Sequence, residues 1–161
     1  MRWFILLSTF FFFEGYGQTF EELVEMGYQN YQLGEYEQAI QYFDKAAAKQ
    51  EDDPELFYLR GVCKSQAGLN SEALGDYDIA LSLDPGYAEV HYEKGYALFL
   101  LLQLEESIKS FDKAIELKPK YAEAWFTRGS IKCIQGDAKG AEEDWDQART
   151  LGAYIPEQKC E

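Results

Sequence analysis

An all-α chain is predicted, built as a solenoid of four helix–turn–helix units. Three observations carry this expectation. The sequence matches itself at an offset of 34 residues, with no insertion or deletion. Apolar residues within each unit recur at helical spacing. Helix start and stop signals fall in phase with the repeat. Period is read before local structure, because a missed repeat mis-assigns the whole fold.

The first 17 residues read as a secretory signal peptide. Met1-Arg2 supplies a positive charge, and Trp3 to Phe13 form an apolar run broken only by Ser8 and Thr9. A helix needs about 20 apolar residues to span a bilayer, so the run is too short for a membrane span. Gly15-Tyr16-Gly17 places small residues where a signal is cut, and cleavage is expected between Gly17 and Gln18. An uncleaved anchor or a misplaced start codon is the alternative. The mature chain is expected to carry no membrane span and to reach the periplasm or the exterior.

The four units follow at 20–53, 54–87, 88–121 and 122–155, with a short tail at 156–161. In the first, Thr19 with Glu22 makes a capping box. In the second, Asp53-Pro54 is a cap residue followed by a first-turn Pro. In the third, Val90, Lys94, Ala97 and Leu98 mark one helix, and Leu104, Ile108, Phe111, Ala114 and Ile115 the next. Asp84-Pro85 and Lys118-Pro119 close the second and third units, since Pro cannot continue a helix. Gly34, Gly68 and Gly136 stand at the turn between helices, where Leu102 replaces Gly in the third unit. The fourth unit reads as a cap. Ile40 and Ala47, Leu74 and Leu81, then Ile108 and Ile115 become Glu142 and Arg149, as expected of a face that meets water. Deletion of residues 156–161 is therefore expected to shift the melting temperature little.

The repeated columns have a packing logic. Gly27, Gly61, Gly95 and Gly129 lie mid-helix, where Gly costs about 1 kcal/mol against Ala. A cost met four times implies that the two helices of a unit approach closely there. Ala39, Ala73, Ser107 and Ala141 offer a small facing surface, and Phe43, Tyr77, Phe111 and Trp145 a large ring. Ala46, Ala80, Ala114 and Ala148 complete the pattern.

This pattern of Gly, Ala, aromatic, Ala and terminal Pro resembles the tetratricopeptide repeat. The resemblance implies a right-handed superhelical stack whose first helices line a concave groove for peptides or helices of other proteins. It also implies where such a groove lies: Glu21, Val24, Tyr28 and Tyr31; Glu55, Tyr58, Val62 and Ser65; Glu89, Tyr92, Tyr96 and Phe99; Glu123, Phe126, Ser130 and Cys133. Residues within each set are three or four apart, so each set is one helical stripe. The result is an aromatic floor beside a row of four Glu. First-turn Glu also complements the helix dipole without any ligand, and Tyr in these columns can pack between helices. The expected partner-binding residues are Tyr28, Tyr31, Tyr58, Glu89, Tyr92, Tyr96, Phe99, Glu123 and Phe126, with Tyr92, Tyr96 and Phe99 as the centre. Some members of the family clamp an acidic C-terminus with Lys, Arg and Asn. The matching columns here hold Val24, Tyr28, Leu59, Glu89 and Glu93, none of them basic, so that use is disfavoured.

Composition narrows the function further. Of 161 residues 47% are hydrophobic, enough for a sizeable core, and 16% are aromatic, too many for a disordered chain. The formal charge of −14 argues against a phosphate-binding surface and so against nucleic acid. His91 is the sole histidine and falls in a packing column, so it reads as a hydrogen-bonded core residue rather than a catalyst. Asp44, Asp78, Asp112 and Asp146 are one per unit and too far apart for a Ca²⁺ cluster. No phosphate loop or nucleophile elbow is present, and no cofactor, metal or catalysis is expected. Of the three cysteines, Cys63 reads as a buried small hydrophobe. Cys133 is within reach of Cys160, since nine tail residues span up to about 30 Å, but reach alone leaves the pairing open.

The expected function is thus an exported, non-catalytic scaffold that binds a protein segment with apolar anchors and some Lys or Arg. The alternative is an accessory subunit of a cell-envelope enzyme or secretion complex.

Overall fold

The computed structural model describes residues 17–50, 52–156 and 160. The expected signal segment lies outside the described residues, apart from Gly17. Eight helices follow in order: α1 (Phe20–Gln32), α2 (Tyr36–Ala47), α3 (Pro54–Gln66), α4 (Asn70–Leu83), α5 (Ala88–Leu100), α6 (Leu104–Leu117), α7 (Ala122–Ile134) and α8 (Ala138–Thr150). No strand occurs among the described residues. The two helices of each unit pack most closely on one another, and the second helices of the first three units pack next on the first helix of the following unit. The fold class is the all-α, four-unit solenoid anticipated from the repeat.

Local signals act as anticipated. The Thr19 side chain accepts from the Glu22 amide, and the Glu22 carboxylate accepts from the Thr19 amide. Asp53 Oδ1 accepts from the amides of Glu55 and Leu56, and Pro54 opens α3. Gly34, Gly68 and Gly136 adopt φ of 77°, 81° and 84°. Leu102 takes φ of 60° at the same turn. Its hydrogen bonds, Leu102 to Phe99 and Gln103 to Leu98, repeat those of Gly68 to Ser65 and Leu69 to Lys64. The third unit therefore keeps the turn and carries a non-glycine residue in the left-handed region.

The core is made of the repeated columns. Phe43, Tyr77, Phe111 and Trp145 are all but fully buried, as are Ala46, Ala80, Ala114 and Ala148. Each ring lies on the mid-helix glycine of its own unit. A Cβ at Gly27 would stand 2.6 Å from Phe43, and one at Gly61 2.6 Å from Tyr77. At Gly95 and Gly129 the distances to Phe111 and Trp145 are 3.0 and 2.9 Å. Where Ser107 replaces alanine, its hydroxyl donates to the Gly95 carbonyl at 2.6 Å, so burial leaves it satisfied.

The Asp column has a role that spacing alone did not disclose. Asp44 pairs with Arg60, Asp78 with Lys94 and Asp112 with Arg128, each cation coming from the first helix of the next unit. Arg60 also grips Asp76 through two bonds of 3.0 and 2.6 Å, and Arg128 grips Asp144 through two of 2.8 and 2.6 Å. Asp76 and Asp144 are buried, and Lys64 and Lys132 add a second cation to each. Two carboxylates are thereby held inside the stack with their charge matched, the condition under which buried ions are tolerated.

The end of the array shows the same column without a following unit. Asp146 pairs with Arg149 of its own helix, and Arg149 also reaches Glu142 at 3.1 Å. The face that is apolar in α2, α4 and α6 is thus charged and internally paired in α8. Gly152, at φ 94°, ends that helix.

Two expectations are corrected. His91 is not a core residue but half-buried at the unit edge, where its Nε2 lies 3.2 Å from the Pro85 carbonyl. Trp125, one repeat later, donates from Nε1 to the Pro119 carbonyl at 3.0 Å. The column therefore changes at the third unit from an apolar plug to a ring nitrogen that ties the helix to the preceding proline loop. Burial lowers the His91 pKa, against the Pro85 carbonyl, which raises it. The tail is the second correction. Cys133 and Cys160 form a disulfide, with Cα atoms 5.3 Å apart, so the tail is covalently tied to α7 and its deletion is now expected to cost stability. Cys63 is a buried free thiol, pushed up to about 12 by desolvation, as expected of an inert core cysteine.

Candidate partner-binding groove

First helices of neighbouring units touch one another directly, α1 with α3 and α3 with α5, whereas no two second helices make comparable contact. The stack therefore bends toward its first helices, which form the inner side. The stripe facing that side is where the nine expected binding residues fall, and they divide into exposed and packed groups.

Tyr28 and Tyr96 are the exposed aromatic members, at 41% and 38% of their full accessibility. Tyr28 lies 6.1 Å from Tyr31 between ring centroids, and Tyr31 lies 6.2 Å from Tyr36 on α2. Tyr96 lies 6.3 Å from Phe99. Tyr31, Phe99 and Phe126 are half-buried. Tyr58 and Tyr92 are packed. Tyr58 meets Tyr87 at 5.2 Å, and Tyr92 stacks on Tyr121 at 4.9 Å while meeting the Phe111 edge at 5.4 Å. Burial raises the pKa of Tyr31, Tyr58 and Tyr92, so all three stay neutral phenols.

Tyr87 and Tyr121 were not singled out in the sequence. They occupy one repeat column, immediately before the first residues of α5 and α7, and that regularity was the available signal. Their rings seal the seams between units and deepen the aromatic floor.

The Glu row is not uniform. Glu123 is exposed, and its backbone carbonyl accepts from Thr127 Oγ1. Glu89 pairs with Lys118 at 2.8 Å, and that hydrogen bond is the chief reason its pKa is lowered. The same Lys118 ammonium sits 4.5 Å over the Tyr121 ring. Glu93, one turn beyond Glu89, has no ion pair or hydrogen bond among the described residues. It is half-buried, and desolvation raises its pKa.

A cleft of about 560 Å³ between the first two units is lined by Asp44, Phe57, Arg60 and Ile79. It shares no residue with the aromatic stripe and is the seam closed by the Asp44–Arg60 pair. No cluster of side chains that could hold a metal ion occurs among the described residues.

Family models for the tetratricopeptide repeat match residues 24–88 and 88–121, together more than half of the chain. The chain belongs to the tetratricopeptide repeat family. Solved structures agree with that membership. MamA from Desulfovibrio magneticus RS-1 is 26% identical, with a TM-score of 0.79 over 82% of this chain and 75% of that one. YrrB, described as a tetratricopeptide protein with an unusual peptide-binding site, shares the fold at 22% identity and a TM-score of 0.75, over 83% of this chain and 69% of its own. The first tetratricopeptide domain of Spaghetti (RPAP3), solved with an HSP90 peptide, is 26% identical with a TM-score of 0.71, over 74% of this chain and 94% of that one. This tetratricopeptide protein is thus a protein-interaction scaffold by family and fold, and no helix among its described residues is long and apolar enough to cross a membrane.

Proposed function

We propose that this tetratricopeptide protein is an exported, non-catalytic adaptor whose inner face holds an extended or helical protein segment. The observation that carries the reading is the exposure of Tyr28 and Tyr96 on the first-helix stripe, each beside a second, half-buried ring. Exposed aromatics on a rigid frame supply large contact area at small entropic cost, and they dominate many protein contacts. The peptide-bound relative and YrrB show that this fold carries peptide sites in other chains. Net charge of −14 favours a segment that also bears Lys or Arg. Export rests on the sequence of residues 1–17 alone.

In-cell crosslinking of the exported protein, followed by mass spectrometry, identifies the partner. Tyr96→Ala is the decisive variant, because Tyr92 is a packing residue and its loss confounds binding with folding. Lost partner binding with an unchanged melting curve supports the groove. Undiminished binding moves the site elsewhere. Fractionation of the cells tests export, and retention of an uncut chain in the cytoplasm overturns it.

A further inference from the structure

We infer that the edge of the stack where the helices of each unit turn carries a second docking surface, centred on Leu69, Leu101 and Leu102. Its occupant is a protein segment that presents a leucine-sized apolar side chain flanked by Lys or Arg. This surface shares no residue with the aromatic stripe and does not rest on the groove reading.

The third turn reads Leu100-Leu101-Leu102-Gln103, where the second reads Gln66-Ala67-Gly68-Leu69 and the fourth Ile134-Gln135-Gly136-Asp137. Leu100 and Leu102 are exposed. Leu102 is so at φ of 60°, in the position that glycine holds in the other three units. The left-handed backbone is strained for leucine, and its exposed side chain returns no packing to the fold. Glycine would remove both the strain and the apolar exposure. A strained residue that the fold does not need points to function. Beside it, between the second and third turns, lies a cleft of about 240 Å³ lined by Gly68, Leu69, Asn70, Ser71, Glu72 and Leu101. Leu69 stands exposed at its lip. Both turns are closed by backbone bonds, Leu69 to Lys64 at 2.8 Å and Gln103 to Leu98 at 2.9 Å, and Asn70 is held by Ser65 at 2.9 Å. The walls are therefore fixed before a partner arrives, which lowers the ordering cost of binding.

Charge identifies the occupant. Glu72 lines the cleft, and Glu105 lies in the first turn of α6, just past the leucines. Both are exposed, and neither has an ion pair among the described residues. The nearest donor to Glu105 is Gln135 Nε2 at 3.5 Å, a contact that also brings the fourth turn and its exposed Ile134 alongside. Cations at the ends of the first helices are turned inward. Lys64 is held on buried Asp76 at 2.8 Å, and Lys132 on buried Asp144 at 2.9 Å. Lys109, one turn past Glu105, lines a separate cleft on the outer seam with Asp78 and Lys94. First-turn Glu complements the helix dipole, but that leaves the carboxylates free to take a cation. An exposed apolar patch rimmed by unmatched carboxylates fits a segment that brings an apolar anchor and a positive charge. A second copy of the chain would set like charges against these, and an anionic membrane would be repelled.

The test titrates the whole protein, labelled for NMR, with the capped tetrapeptide Lys-Leu-Leu-Lys. Capped Glu-Leu-Leu-Glu lacks the positive charge, and capped Lys-Ser-Ser-Lys lacks the apolar anchor. Saturable shifts at Leu69, Glu72, Leu101 and Leu102 are expected with the first peptide alone. Leu102→Gly should weaken binding about fivefold while raising the melting temperature, an opposition that a purely structural leucine does not produce. Glu72→Gln should weaken it about threefold. Glu116→Gln, at the far end of α6 and paired with Lys113, changes net charge equally and should leave the titration unaltered. Undiminished binding in Leu102→Gly, equal weakening by Glu116→Gln, shifts confined to the aromatic stripe, or no saturable shift overturns the inference. Shifts at the same residues that depend on protein concentration without peptide would assign the edge to a second copy. Co-sedimentation with phosphatidylcholine vesicles that Leu102→Gly abolishes would assign it to a membrane. Either result overturns the proposed occupant.

Discussion

The Phe43 ring rests directly on the Cα of Gly27, sixteen residues earlier, close enough that a Cβ there would stand 2.6 Å from Cε1. The same pairing recurs in every unit with graded closeness, and the gradient is testable. Gly61→Ala forces the buried Tyr77 to move and should destabilise by about 1–2 kcal/mol, since overpacking outweighs the gain in helix propensity. Gly95→Ala, where the gap to Phe111 is 3.0 Å, should be near neutral. Chemical denaturation of both variants decides the order, and a larger loss at Gly95 would overturn it.

Arg128→Met removes the cation that joins Asp112 on one unit to Asp144 on the next. Asp144 is buried, and Lys132 remains at 2.9 Å, so part of the charge stays matched. A loss of about 2–3 kcal/mol is expected, below the full figure for a broken buried pair. Asp112→Asn, at the exposed end, should cost less than about 1 kcal/mol. Urea melts separate the two.

Leu102→Gly should stabilise the third turn. Leu102 holds φ of 60° and is 80% exposed, so its side chain gives little packing in return for backbone strain. A gain of about 1 kcal/mol is expected once the extra unfolded-state freedom of Gly is set against the relieved strain. An unchanged or lower melting temperature would show that the leucine packs productively.

The Cys133–Cys160 disulfide closes a loop with a sequence separation of 27 residues. Restricting the unfolded chain by a loop of that length contributes about 3.5 kcal/mol. Cys160→Ser, or deletion of residues 156–161, should lower the melting temperature under oxidising conditions and change nothing under reducing ones.

Glu93→Gln should raise stability at neutral pH. The folded pKa of Glu93 lies above its ordinary 4.5 because burial disfavours the charge. A raised carboxylate pKa means that the folded state holds the proton longer. Stability is then lost as pH rises from 4.5 through the folded pKa, and the loss persists above it. Gln has no such loss. The gain over wild type should vanish in acid below 4.5, which paired thermal melts across pH would show.

The 34-residue period determined the fold by itself, because a unit of two helices has few ways to stack and its glycine, alanine and ring columns are local demands. It also marked the helix caps, the turn glycines and the charged outer face of α8, all set by residues within two turns of each other. Pairings across units were decided only in the tertiary structure. The Asp44–Arg60 contact joins residues sixteen apart on different units, and column spacing does not say which cation faces which carboxylate. His91 was legible as a packing position, but its exposure depended on where the Pro85 loop lies. The Cys133–Cys160 bond depended on the path of the tail. Along the groove the sequence named the stripe, but not which members stay exposed. Tyr96 and Tyr92 are both tyrosines on α5, and the neighbouring Tyr121 and Phe111 rings separate them into a surface residue and a seam. Glu89 and Glu93 likewise differ by one helical turn in the sequence, and by a single Lys118 in space.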